Sequence, residues 1–169
     1  IKDDLKSQQL LEKLYNVTKE LEIDYPNHHN WFHEKFCKEL DGKAREIIFC
    51  LNNDVPIGVV FLKNSKEEKK ICTIYVEKTY RNIGIGTQLL LKSFAFLNTT
   101  KPLITMPEYK VKEFENILKN YNWEKTEKIE FNDPNEKRYN IESIVKNKNK
   151  IYNFLDDVKE KYKGKNVLI

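Results

Sequence analysis

Long hydrophobic runs are missing from this chain: no apolar stretch approaches the roughly 20 residues that a bilayer-spanning helix needs. The start, Ile1-Lys-Asp-Asp4, has none of the apolar character of a secretory signal. A soluble cytoplasmic protein with no membrane partner is expected, although a first residue other than Met leaves room for a longer parent chain. Cysteine is also scarce. Cys37, Cys50 and Cys72 lie far apart with no Cys-x-x-Cys pair, and an odd count gives no disulfide framework, so a reducing compartment is expected. Repeats and low-complexity segments are absent as well.

What is present is an ordinary globular composition, 40% hydrophobic and 33% charged over 169 residues, enough for one domain to bury a core without disulfides or structural metal. The net charge of +4 is concentrated at the end of the chain. Residues 146–165 carry Lys146, Lys148, Lys150, Lys159, Lys161, Lys163 and Lys165 against Asp156, Asp157 and Glu160, which leaves the rest neutral. Lysines alternating with asparagine read as a solvated surface more readily than as a nucleic-acid site.

Leu10, Leu14, Val17 and Leu21 recur at helical spacing and predict a helix from about Ser7 to Glu22. After the break at Asp24-Tyr-Pro-Asn27, Phe32, Phe36 and Leu40 predict a shorter helix that stops at Asp41-Gly42. The pattern then becomes extended. Residues 46–51 and 55–62 form an expected hairpin about Asn52-Asn-Asp54, and Ile71-Cys-Thr-Ile-Tyr-Val76 suits an interior strand covered on both faces. Ile85 to Leu97 is almost wholly apolar and predicts an enclosed helix. A strand at 102–106, a helix with Val111, Phe114, Leu118 and Tyr121 on one face, and extended stretches at 123–131 and 138–144 follow. Ile151, Phe154, Leu155, Val158 and Tyr162 form a last helical stripe.

The informative constellation lies between the third strand and the enclosed helix: Arg81-Asn-Ile-Gly84-Ile-Gly86-Thr87. A helix N-terminus leaves backbone N–H groups without partners and carries roughly half a positive charge, so it is a ready site for an anion, with phosphate the natural guest. Glycines at 84 and 86 remove the Cβ atoms that would hold a ligand away. Arg81 offers a forked cation and Thr87 one more donor. A dinucleotide fingerprint would need glycine where Leu89 stands, and a P-loop would need a lysine before Thr87, so both readings fail.

The segment resembles the acyl-coenzyme A loop of the GCN5-related N-acetyltransferase (GNAT) family, Gln/Arg-x-x-Gly-x-Gly/Ala, through Arg81, Gly84 and Gly86. The order of elements from about Leu10 to Ile144 agrees with that family. The resemblance implies a mixed α/β fold with a central, mostly antiparallel sheet of six to seven strands flanked by helices. It also implies a splay between the family's fourth and fifth strands, here Ile71–Val76 and Leu103–Met106. A GNAT-like acyltransferase domain at 1–145 and a basic C-terminal helical extension at 146–169, packing on the same domain, are expected. The donor implied is acetyl-CoA. Its pyrophosphate is assigned to the loop Arg81, Asn82, Ile83, Gly84, Ile85, Gly86 and Thr87, and its pantetheine arm to the backbone of Ile74, Tyr75 and Val76, with the oxyanion donor around Val76. The first two helices cover the acceptor side in this family, which makes Asp24, Tyr25 and His28 candidates for the acceptor pocket.

Direct acetyl transfer needs a neutral amine, an oxyanion donor and a proton for the thiolate. The family's usual tyrosine acid aligns with Leu118, so Tyr121, one turn further on, is the candidate acid, and Glu108, just beyond the strand at 102–106, a candidate base. Asp24, His28, His29 and His33 lack the further ligand and second shell of a zinc site, and no metal is expected. The acceptor is a small-molecule amine, a protein amine or a peptide N-terminus, and the protein a monomer or homodimer. The rival readings are a non-catalytic acyl-CoA binder and a nucleic-acid-binding module using the lysine tail.

Overall fold

Thr18 ends the first helix earlier than the apolar stripe implies. In the computed structural model, which describes residues 5–107, 110–130 and 141–147, helix α1 spans Leu5–Val17 and a separate 3₁₀ turn spans Lys19–Ile23. The Thr18 hydroxyl donates to Tyr15 O at 2.8 Å, taking the acceptor that a further helical turn would use, so the expected single helix to Glu22 is split in two. Helix α2 follows as His28–Asn30, a π-helical stretch Trp31–Phe36 and a last turn Cys37–Glu39. It starts earlier than the phenylalanine spacing suggests. Phe32 and Phe36 are fully buried, with ring centroids 5.2 and 5.1 Å from that of Phe61.

Strands β1 (Arg45–Asn52) and β2 (Val55–Asn64) form the expected hairpin, turning through Asn53 and Asp54, both at positive φ. Strand β3 (Lys69–Val76) pairs antiparallel with β2. Helix α3 (Ile85–Leu97), strand β4 (Leu103–Pro107), helix α4 (Glu115–Asn120), strand β5 (Trp123–Glu130) and strand β6 (Ile141–Asn147) complete the described elements. The sheet has six strands in the order β1-β2-β3-β4-β6-β5, antiparallel except between β3 and β4. The architecture is thus the mixed α/β arrangement expected. Two boundaries move: α4 is shorter than the stripe from Val111 to Tyr121, and β6 ends at Asn147 rather than near Ile144. The helical stripe at 151–162 lies outside the described residues.

Both faces of β1–β3 are covered. Val60, Leu62, Ile71 and Ile74 face α3, whose Leu89, Leu90, Phe94 and Leu97 are buried against them. Val59, Phe61 and Tyr75 face α1 and α2. Strict alternation would put Ile71 and Ile74 on opposite faces. They share one because Ile71 pairs with Leu62 and Thr73 with Phe61, leaving Cys72 as an extra residue in a β-bulge. Among the described residues no helix is long and apolar enough to cross a membrane.

Candidate functional site

The site begins where β3 and β4 part. They are paired only at Lys70↔Leu103 and Ile71↔Ile104, and beyond that point a cleft of about 440 Å³ opens between them. By chain count these are the third and fourth strands, the pair assigned by resemblance to the family's fourth and fifth. A strand residue directs its N–H and C=O to one side and those of its neighbours to the other. Glu77 donates to Ile57 O at 2.8 Å, on the β2 side, so the N–H and C=O of Val76 and Ile74 face the gap. Ile74 and the Val76 N–H thus lie along the gap, while Val76 O is taken by Arg81.

The loop after β3 turns the backbone into α3. Asn82 (φ 64) and Gly84 (φ 94) both adopt left-handed conformations, and Gly84 is the N-cap. The first helical hydrogen bond runs from Gln88 N to Gly84 O at 3.0 Å. The amides of Ile85, Gly86 and Thr87 therefore precede the ladder, the position at which a helix leaves donors free for an anion. A Cβ on Gly84 would meet nothing within 4 Å, and one on Gly86 only Val76 Cγ2 at 3.8 Å. Both glycines thus border open space rather than tight protein packing, and Gly86 itself lines the cleft.

Arg81 stands differently from a free phosphate fork. Its Nε donates to Val76 O at 2.8 Å, its guanidinium lies 5.6 Å from the Tyr75 ring centroid, and Nη2 approaches Glu20 Oε1 at 4.0 Å. Tyr75 also faces Glu20: burial, the hydrogen bond to that carboxylate and its charge push the phenol up to about 12, so it keeps its proton at neutral pH. Glu20 therefore connects the turn after α1 to the loop that leads into α3, a contact that sequence spacing did not reveal.

Of the acceptor-side candidates, Asp24 and Tyr25 line the cleft. Asp24 is buried and ion-paired with Lys110, a partner hidden from any local motif. His28 is turned away from the cleft. It is buried between the rings of Tyr15 and Trp31, with Nε2 2.8 Å from Thr18 Oγ1. Because the Thr18 hydroxyl gives its proton to Tyr15 O, the shared hydrogen belongs to His28 Nε2. Burial, aided by the charges of His29 and His33, lowers the His28 pKa from 6.5 to about 4. The unfolded chain then takes this proton first, so stability is complete above about pH 6.5 and declines as pH falls toward about 4. Urea unfolding should lose about 2 kcal/mol between about pH 7 and about pH 5, and His28→Gln should flatten that slope.

Tyr121 caps the end of α4 and packs edge-on against Phe94 and Trp123, 5.7 and 6.3 Å between centroids, rather than lining the cleft. Burial raises its pKa. Leu118 is buried, and Ile117 is the residue of that helix turn that reaches the cleft. Glu108 lies outside the described residues. His33 is bound to Glu12 at 2.6 Å and to His29 O at 3.0 Å, and among the described residues no group of three His, Cys, Asp or Glu is placed to hold a metal.

Sequence inspection also passed over Gly58. A Cβ there would lie 2.9 Å from Ile85 Cγ2 and 3.2 Å from Leu89 Cδ1, so this glycine sets how closely the head of α3 approaches β2. A glycine inside a strand pattern was the available signal.

Known proteins with this geometry are consistent in kind. No curated protein sequence matches the chain. Among solved structures, PaiA N-acetyltransferase from Thermoplasma acidophilum, in complex with coenzyme A, superposes with a TM-score of 0.58 at 17% identity, over 83% of this chain and 94% of that one. Ard1 from Thermoplasma volcanium gives 0.60 at 13%, over 81% and 89%. An acetyltransferase of the GNAT family from Staphylococcus aureus Mu50 gives 0.55 at 16%, over 86% and 96%. At these identities the likeness is one of fold. The sequence model of the acetyltransferase (GNAT) family matches residues 9–100, from α1 through the phosphate-type loop to the end of α3, which is more than half of the chain. With that match covering the loop, the splayed strand and the helix it caps, the chain belongs to the GNAT acetyltransferase family.

Proposed function

We propose that the protein is an N-acetyltransferase that moves an acetyl group from acetyl-CoA directly to an amine in a ternary complex. The observation that carries the reading is the head of α3: three amides ahead of the helical ladder, two glycines bordering open space, and the open edge of β3 running up to it. Acetyl-CoA fits those features, since it presents a diphosphate for the amides of Ile85, Gly86 and Thr87 and a pantetheine arm whose amide groups match the gap-facing backbone of Ile74. Coenzyme A in the Thermoplasma acidophilum PaiA structure supports the same choice of donor.

When bound, acetyl-CoA supplies an activated acyl group. The chain's part is to hold it and to stabilise charge. The Val76 N–H, directed into the gap, is the donor this reading assigns to the thioester oxygen. Val76 O is already engaged by Arg81, which ties the cofactor loop to that donor and fixes the strand edge. Tyr75, kept protonated by burial and by Glu20, packs against the Arg81 guanidinium and serves to position the loop. A cytoplasmic setting belongs to the same proposal and is supported by three free cysteines.

Loss of free thioester in the presence of an amine panel tests the reading. Acetyl-CoA consumption that depends on one class of amine is expected. Tight acetyl-CoA binding with no consumption by any amine would favour a non-catalytic acyl-CoA binder, the reading that gains from Leu118 at the acid position and from the place of Tyr121 among Phe94 and Trp123.

A further inference from the structure

The far side of the cleft holds a contact that donor binding does not explain. The Asp24 side chain is 3% exposed, lines the cleft and is paired with Lys110 Nζ, whose side chain is 21% exposed. Burying a carboxylate costs several kcal/mol unless a cation meets it, and for stability alone an apolar pair of similar volume serves as well. A sunken carboxylate that opens on a cleft, met by a long flexible ammonium from the rim, has instead the form of an ammonium receptor with an internal occupant.

The surrounding charges are sorted accordingly. At the loop end, Lys78 and Arg81 each lie 4.0 Å from Glu20. At the other end, Glu113 stands one turn after Lys110, its N–H on Lys110 O at 3.0 Å, and also lines the cleft. If Lys110 swings toward solvent, Asp24 and Glu113 face the cleft as two carboxylates. That field favours a cation and disfavours an acceptor that carries its own anion close to the amine.

We propose that Asp24 is the anchor for the ammonium group of a cationic amine acceptor, and that Lys110 occupies this place until the acceptor displaces it. The inference rests on the acetyl-transfer reading of the cleft and names its acceptor class.

Calorimetry on the protein saturated with CoA, which has no acetyl group and permits no turnover, separates binding from catalysis. The probes are butylamine, butanol and 4-aminobutyrate. Butylamine should bind at least about 10-fold tighter than either of the others, because only it offers a cation without an anion. Lys110→Met should tighten butylamine about 10-fold by removing the internal competitor. Asp24→Asn should abolish the preference. Should that variant fold poorly, Asp24→Asn combined with Lys110→Met removes both charges together and should bind CoA as the wild type does while showing no preference for butylamine. Unchanged butylamine binding in Asp24→Asn, weaker binding in Lys110→Met, or no binding of any probe to the CoA complex would overturn the proposal. Failure of the wild type to bind CoA at all would overturn the acetyl-transfer reading beneath it.

Discussion

Gly86→Glu should weaken acetyl-CoA binding about 100-fold or more while leaving the fold intact, because the substitution acts with opposite signs on the two. For the helix, a carboxylate in the first turn of α3 is favourable by about 0.3–1 kcal/mol. Space permits it: the new Cβ meets only Val76 Cγ2 at ordinary contact distance, and Gly86 has no positive φ to strain. For the ligand, the same carboxylate stands at the amides assigned to the diphosphate and repels it. Gly86→Ala, which adds a methyl group without charge, should bind within a few fold of the wild type. Calorimetry with acetyl-CoA, alongside thermal unfolding, checks both halves. Gly84 is the poorer target, since at φ 94 any side chain strains the loop whatever it does to the ligand.

Gly58→Val should destabilise the fold and carry the site with it. Even the first added carbon would lie 2.9 Å from Ile85 Cγ2 and 3.2 Å from Leu89 Cδ1, so the head of α3 must move away from β2. Overpacking of this kind costs about 1–3 kcal/mol, read as a lowered urea midpoint. Because Ile85 opens the helix whose amides are assigned to the diphosphate, acetyl-CoA affinity should fall in parallel. Ile85→Ala makes room on the opposing side and should restore part of both losses in the double variant. Equal losses in the single and double variants would mean that the close approach of β2 and α3 is not what positions the loop.

The features legible in the sequence were those written in local pattern. Arg81, Gly84 and Gly86 between a β-branched strand and an apolar helix located the turn, and the run from Ile85 to Leu97 located the enclosed helix, because periodicity and glycine placement are properties of neighbouring residues. The splay at Ile71 and Ile104 followed from the family resemblance. What escaped depends on residues distant in the chain. Thr18 sits in a helical stripe like any other residue until His28 and Tyr15 O give its hydroxyl better partners than another turn would. Asp24 and Lys110 meet only because the turn after α1 and the segment after β4 border one cleft. The bulge at Cys72 is invisible in a run of alternating apolar residues, yet it decides that Ile74 and Val76 face α3 while Tyr75 faces Glu20. Candidate catalytic side chains were the least legible, since the proposed oxyanion donor is a backbone group that no side chain marks.

The most direct measurement compares the calorimetric affinity of the wild-type protein for acetyl-CoA with that for S-acetylpantetheine, which keeps the thioester and the arm but lacks the diphosphate and nucleotide. With three helix-head amides gripping the diphosphate, acetyl-CoA should bind about 100-fold tighter or more, given about 1.5–3 kcal/mol for each hydrogen bond to a charged group, offset in part by desolvation. Equal affinities, unchanged by Gly86→Glu, would contradict the role assigned to the head of α3.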